Sequence, residues 1–507
     1  MTRHSTYYKN VFVVILLFLA VSCVEQEEYS DFTSPSFDYF AFLKDDNPEL
    51  EKDVIINLEH YKTKNAIDSI VPHLKTDSLV AVFSGNFSQV MVGNTIQNSG
   101  QTVNNFSHPI NYTLWGTNGN IASISFNIVG YNGIPRVFIQ TENNYPVLTK
   151  EYQQATITID NCPMFDSIES VACKIKGRGN ATFGWDKKPY KIKFAQAERP
   201  FGFPENKEWV LLALWNDKSL LREFVMADLS RRIGEPFTIN TQYVDLFLND
   251  EYRGTYLFVD QVEKGTSRID VNDNGFIIED DYYYLEESQW FTSYMGYNYS
   301  FKYPKICTDG NVSFIKKYID NIERELLYND PDIFNSIDVK SFARFFIVNE
   351  LLANWEPNLY YYLPSHNSKL QIGPLWDFEW SLGLAENGNP DNEWGWFFPP
   401  KEPSFESKIW EKKKYFSYLI KKKVFIDTVK SIWDELKKQK NDILNNIISS
   451  AEIIRHSQQD NFNKWPILGT FTSVQLIAFN TWDEEVFYLY NFMNARFDWF
   501  DGYLNEL

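Results

Sequence analysis

Cysteine and histidine are scarce, at 4 and 6 positions in 507 residues. No cysteines form a CxxC pair and no histidines cluster at ligand spacing, which argues against a structural zinc or a His-rich metal site. Any bound metal should be a hard cation held by oxygens. Glycine (23) and proline (21) are too few for a collagen-like or low-complexity chain. Cations are also in deficit: 48 Lys and Arg face 67 Asp and Glu, a formal net charge of −19. Phosphate backbones need clustered cations, so this balance argues against nucleic acid as a partner. What is plentiful is apolar surface. With 44% hydrophobic positions the chain is too apolar for disorder and too long for one core, so two to four packed units are expected. Aromatics reach 17%, enough to fill β-rich cores or to leave rings that stack on sugars or a base.

The one strongly apolar run, residues 11–22, is about half of a bilayer span and comes after Arg3, His4 and Lys9. It reads as a signal peptide over residues 1–23. Its end, Leu19-Ala20-Val21-Ser22-Cys23, resembles a bacterial lipoprotein processing box with Ala20 where Leu is more usual. Cys23 then becomes the lipidated N-terminus, and residues 24–36 a tether. The acidic stretch Val24-Glu25-Gln26-Glu27-Glu28 resembles the segment next to the anchor in surface lipoproteins of Bacteroidetes-type bacteria, and equally reads as an ordinary solvated tether. The expected location is the outer membrane and cell surface, with membrane contact through the lipid alone.

Three cysteines remain in an exported chain, so at most one bridge forms. Cys162 and Cys173 flank a short turn and are either that pair or two half-buried thiols, with Cys307 left over. Residues 37–160 alternate in short runs, such as Ile124-Ser125-Phe126-Asn127-Ile128 and Ile157-Thr158-Ile159, broken by Gly, Asn and Ser. They predict an all-β, Ig-like sandwich without a catalytic constellation, a spacer or adhesion module.

Past Cys173 the polar turn Gly177-Arg178-Gly179-Asn180 runs into Lys187-Lys188-Pro189-Tyr190-Lys191-Ile192-Lys193-Phe194. Backbone N–H groups of such a turn, with a lysine-bearing strand behind it, are how kinase-like folds hold nucleotide phosphates; a hairpin with a solvated basic edge has the same appearance. Next come Asn216-Asp217-Lys218-Ser219-Leu220-Leu221-Arg222, a helix-period run to Ile233, and strands over 243–249 and 252–259. Asp338 is a predicted N-cap for a helix burying Phe342, Phe345, Phe346 and Val348. Asn354-Trp355-Glu356-Pro357-Asn358 and Trp376-Asp377-Phe378-Glu379 then place three carboxylates and a carboxamide on loops beside an aromatic strand, which suits a divalent cation bridging phosphates.

In this order, GRGNATFGWDKKPYKIKF, WVLLALWNDKSLLR, YRGTYLFVDQ and GPLWDFEWSLG resemble the spore-coat protein H (CotH) kinase family, in its Bacteroidetes-type lipoprotein form with an N-terminal β domain. The resemblance spans about residues 165–505. It implies an α+β, atypical protein-kinase-like core at 165–384 with a helical C-terminal lobe at 385–507. It further implies Mg2+ and ATP as cofactors and Ser or Thr hydroxyls of a protein as acceptors. By the same likeness Asp377 is a metal-binding and catalytic carboxylate, Asn358 and Glu379 are further metal ligands, and Glu356 is the catalytic base. Arg178, Asn180, Lys188 and Lys191 would surround the phosphates.

The chain departs from the family pattern at Glu356 and Glu379, where Asp is usual, and at Asp260, where Glu is common. One extra methylene moves a carboxylate by about 1 Å, an error that can cost a hundredfold in rate. An extracellular protein also meets little ATP. The alternative expectation is therefore a weakly active or inactive surface protein that binds a glycan or a partner protein. The aromatic cluster at 394–398 is either a sugar-stacking or lid element or a plug over the core.

Overall fold

The structure, a computed structural model, describes residues 34–507 apart from 49, 51–52, 57, 59–67, 72–77, 107–109, 127, 131–132, 161–166, 355–356, 385–414 and 473–474. The signal peptide, Cys23, Cys162, Glu356 and the 394–398 cluster lie outside the described residues.

Near the N-terminus the strands are short because polar and glycine positions interrupt the apolar alternation every few residues. Ser36–Phe42 pairs antiparallel with Val82–Asn86, and Gln89–Val92, Ile110–Trp115 and Ile121–Phe126 build a second antiparallel sheet. Both sheets feed one aromatic core, where Phe40 stacks on Phe126 at 4.1 Å and Phe37 meets Phe83 and Tyr112 edge-on.

This all-β unit ends earlier than the sequence suggested. Strands β1 (Arg136–Thr141) and β2 (Gln153–Asp160) do not join it. They open a closed barrel with β3 (Ile168–Gly177), β4 (Tyr190–Glu198), β5 (Asn206–Leu212), β6 (Thr241–Leu248) and β7 (Glu251–Asp260). The order is β1-β2-β3-β4-β5-β7-β6, antiparallel throughout except where β1 closes on β6 in parallel. The boundary expected at 160 therefore falls before Ile134, which already packs into the second core. Period-two alternation is the same in both units, so it cannot say which sheet a strand enters.

Ile157, Ile175, Ile192, Trp209 and Phe258 fill the barrel, each fully buried. Cys173 lies among them as a free thiol, which goes against the Cys162–Cys173 bridge and with the alternative of unbridged thiols: its apolar sulfur packs into the barrel core. The turn from β6 to β7 is Asn249-Asp250, both residues at positive φ (54° and 63°), as a two-residue hairpin requires. Between β5 and β6 runs α1 (Arg222–Ile233), closed by Gly234 at φ 78°.

A second sheet packs in the order β9-β10-β8-β11-β12, from β8 (Phe276–Asp280), β9 (Trp290–Thr292), β10 (Asn298–Tyr303), β11 (Leu359–Leu363) and β12 (Gln371–Ile372), all antiparallel. Around it lie α2 (Asp309–Leu327), α3 (Val339–Leu351), α4 (Lys423–Leu436), α5 (Lys440–Ile453) and α7 (Trp482–Glu506), while α6 (Ser457–Lys464) packs against β7 of the barrel. Asp338 caps α3, accepting from the Ser341 N–H at 2.8 Å, and Phe342, Phe345, Phe346 and Val348 are buried as their spacing predicted. One apolar core joins α1–α5 and α7, so the helical lobe begins well before residue 385. The fold class is α+β, with an all-β N-terminal region.

Candidate functional site

A cleft of about 860 Å³ opens where the barrel meets the second sheet. The turn after β3 supplies one wall. Gly177 and Gly179 are there for space and conformation: a Cβ at 177 would collide with the Phe183 ring, and Gly179 sits at φ 81°. The Arg178 N–H donates to the Pro189 carbonyl at 3.2 Å, and its guanidinium lies 5.4 Å from the centre of the Trp376 ring. Burial draws the Arg178 pKa down, against the opposing pull of Asp377. Asn180 stands at the rim and accepts from Lys150 Nζ at 3.1 Å.

The opposite wall carries the carboxylates. Asp377 adopts φ 66°, a conformation that costs a non-glycine residue about 1 kcal/mol and that clusters at functional sites. Its Oδ2 accepts from Asn358 Nδ2 at 3.1 Å. It reaches the solvent of the cleft yet is walled by protein, and this loss of hydration raises its pKa more than Arg178 lowers it. Glu379 Oε1 accepts from the Asn216 and Asp217 N–H groups at 2.7 and 3.4 Å, and burial lifts its carboxyl to about 7. Three of the predicted site residues thus share one cleft with Arg178 and Asn180.

Two predicted residues do not. Lys188 Nζ folds back to the Phe183 and Trp185 carbonyls at 2.9 and 3.0 Å, and Lys191 pairs with Glu208 at 2.5 Å. Neither lines the cleft. The physical reason is alternation: Tyr190, Ile192 and Phe194 occupy the barrel interior, so Lys191 and Lys193 must point the other way, toward Glu208 on β5.

Of the two adjacent lysines it is Lys187, 1% exposed and one position before the predicted one, that lines the cleft, together with Arg178 and Lys302. Consecutive lysines in an extended turn face opposite sides, and the pair alone does not say which faces in. Glu223 was also missed. It begins α1, is 2% exposed, and its Oε1 accepts from the Phe378 N–H at 2.6 Å. Its Oε2 has no partner among the described residues. Burial and the charge of Asp377 raise its pKa well above the carboxylate range. The available signal was an acidic residue at the start of a helix whose other positions, Val225, Met226 and Leu229, are core.

Among the described residues no three His, Cys, Asp or Glu side chains are close enough to hold a metal by themselves. The donor set nevertheless fits Mg2+, which takes one or two carboxylates and completes its shell with water and substrate phosphates. Asp377 offers a carboxylate and its neighbour Asn358 a carboxamide, whose oxygen would face a shared ion once the amide turns over, and the mutual repulsion of Glu223, Asp377 and Glu379, with one orphaned oxygen, leaves the floor of the cleft short of positive charge.

In comparison with known proteins, a family model described as CotH kinase protein matches residues 175–500. No curated protein matches the chain.

Proposed function

The chain belongs to the CotH kinase protein family, and from that premise we propose that its cleft is a phosphoryl-transfer site on a kinase-like core, taking Mg-ATP and passing the γ-phosphoryl group to a Ser or Thr hydroxyl of a protein. The observation that carries this reading is the pairing, across one cleft, of the Asp377–Asn358 corner with the cations Arg178 and Lys187. Asp377 and Asn358 would hold the metal, whose charge would neutralise the phosphates. Glu379 holds the loop amides of Asn216 and Asp217 and so frames the same floor. Arg178 keeps its expected phosphate role, and Lys187 takes the one first assigned to Lys188 and Lys191. Glu356 remains the candidate base, receiving the acceptor's proton as the P–O bond to ADP breaks.

Calorimetric titration with ATP and magnesium tests the reading. The parent protein should bind, and Asp377→Ala should abolish magnesium-dependent binding while leaving the melting temperature within a degree or two, because a carboxylate lining a cleft supports little packing. Loss of folding in place of loss of binding would assign Asp377 to structure.

A second reading rests on the rim, where Tyr282 and Tyr283 are 64% and 42% exposed. In it the family fold is kept without transfer, and exposed rings stack on a surface glycan. Heat on adding glycan and none on adding nucleotide would favour it. In both readings we propose an exported lipoprotein anchored through Cys23 on the cell surface; no described helix is long and apolar enough to cross a membrane.

A further inference from the structure

Lys187 is held in an uncommon way for a buried ammonium. Its Nζ donates to the Thr255 carbonyl at 2.5 Å and to Asn461 Oδ1 at 2.8 Å, and the Tyr256 ring centre lies 4.8 Å away. Both acceptors are neutral. The carboxylates that face it, Asp245 and Glu379, act only through space, and no ion pair to Lys187 forms among the described residues. Asp245 is instead engaged by the Tyr252, Thr255 and Ser457 hydroxyls. A buried cation whose hydrogen-bond acceptors are all neutral is expensive, and an anion reaching it from the cleft would offset that cost.

Asn461 comes from α6, 274 residues further along the chain. It is 2% exposed, and its Oδ1 also accepts from the Thr255 N–H at 3.2 Å, which ties the helix to β7. The contact explains a feature of the Tyr252-Arg253-Gly254-Thr255 stretch. Gly254 has φ 104°, and a Cβ there would lie 2.5 Å from Asn461 Oδ1 and 3.1 Å from Lys187 Cε. Glycine lets the carboxamide and the lysine stem lie against the strand backbone.

We propose that Asn461 is the positioning residue for Lys187: its neutral oxygen, from behind the cleft lining, fixes the ammonium at the cleft wall without cancelling the charge that meets the anionic ligand. The proposal rests on the phosphate-binding reading of the cleft. Neutrality at 461 is then a requirement, and the helix α6 becomes part of the anion site without touching the ligand.

Asn461→Asp separates geometry from charge, since it keeps an oxygen for Nζ and for the Thr255 N–H but supplies a counter-ion from within. Its dissociation constant for ATP with magnesium should rise about tenfold or more, with the circular dichroism spectrum and melting temperature retained. Lys187→Gln should show a similar loss, and the double variant should lose no more than the larger single effect, because the two residues act as one unit. A purely structural asparagine would give additive effects. ATP should also protect Lys187 of the parent protein from acetic anhydride, read by mass spectrometry, a measurement that holds even if a variant fails to fold. Parent-like affinity in Asn461→Asp or additive losses would each overturn the proposal while leaving the phosphate reading intact, whereas labelling of Lys187 that ATP does not change would overturn the proposal together with the phosphate role of Lys187. A parent protein that binds no ATP would remove both.

Discussion

Lys187 and Lys188 are neighbours with opposite fates, and the difference is solvation. Lys188 is half-buried in a turn and bonded to two carbonyls, whereas burial pulls the Lys187 ammonium from 10.5 down to about 7, against the smaller opposing effect of Asp245 and Glu379. Between about pH 7 and 10.5 the folded chain then carries one proton fewer than the unfolded chain at this site. Stability contributed there rises with pH across that window, since the cost of burying the charge disappears as the group deprotonates. Lys187→Met should flatten this slope. Urea midpoints at pH 7 and pH 9 for both proteins check it, and equal slopes would mean that Lys187 does not titrate in that range. Glu208 behaves in the opposite sense: burial alone would raise it, but the hydrogen bonds from Lys191 and Lys193 bring it down to about 2. The strand lysines assigned to phosphates on sequence grounds thus serve an ion-pair network outside the cleft.

At the scale of elements, the segment from Asn216 to α1 serves the architecture of the cleft. Arg222 is 1% exposed and pairs with Asp217 at 2.5 Å, while its Nε donates to the Ser381 carbonyl at 2.9 Å. The clamp joins the start of α1 to the segment that carries Asp377 and Glu379. Around it Leu214, Leu220 and Leu382 adopt positive φ (52°, 63° and 51°), conformations that cost about 1 kcal/mol each and persist where the surroundings over-determine them. Removing one partner of such a buried pair leaves an uncompensated charge, so Arg222→Ala should destabilise the chain by about 3–5 kcal/mol, read as a lower urea midpoint. A midpoint near that of the parent would show that the clamp is dispensable. The helices α1 and α3 and the β6–β7 hairpin were legible because apolar period, cap and turn residues are local signals. Strands β1 and β2 fall in the barrel because β1 pairs with β6, about a hundred residues further along, and β2 follows it by pairing with β1 and β3; alternation alone does not show that distant closure.

For the whole molecule, the aromatic core around Phe40 and Phe126 is separate from the cores of the barrel and the helical layer. Independent cores melt independently when few contacts join them. Scanning calorimetry should resolve two transitions, and ATP with magnesium should move only the one belonging to the unit with the cleft, because a ligand stabilises only the unit that binds it. A single transition shifted as a whole would show the two units to be energetically coupled.

By itself the sequence determined the α+β class, the order of the pieces, the family and five of the polar residues that line the cleft: Arg178, Asn180, Asn358, Asp377 and Glu379 all lie in stretches singled out by residue type and spacing. These are properties of nearest neighbours along the chain. Only the tertiary structure decided which lysine turns inward, that Glu223 completes the acidic floor, that Cys173 packs as a free thiol, and that Asn461 reaches Lys187 from a distant helix. Each of those facts depends on what lies across a barrel or beneath a strand, and desolvation by non-local neighbours, unlike periodicity, leaves no trace in the local sequence.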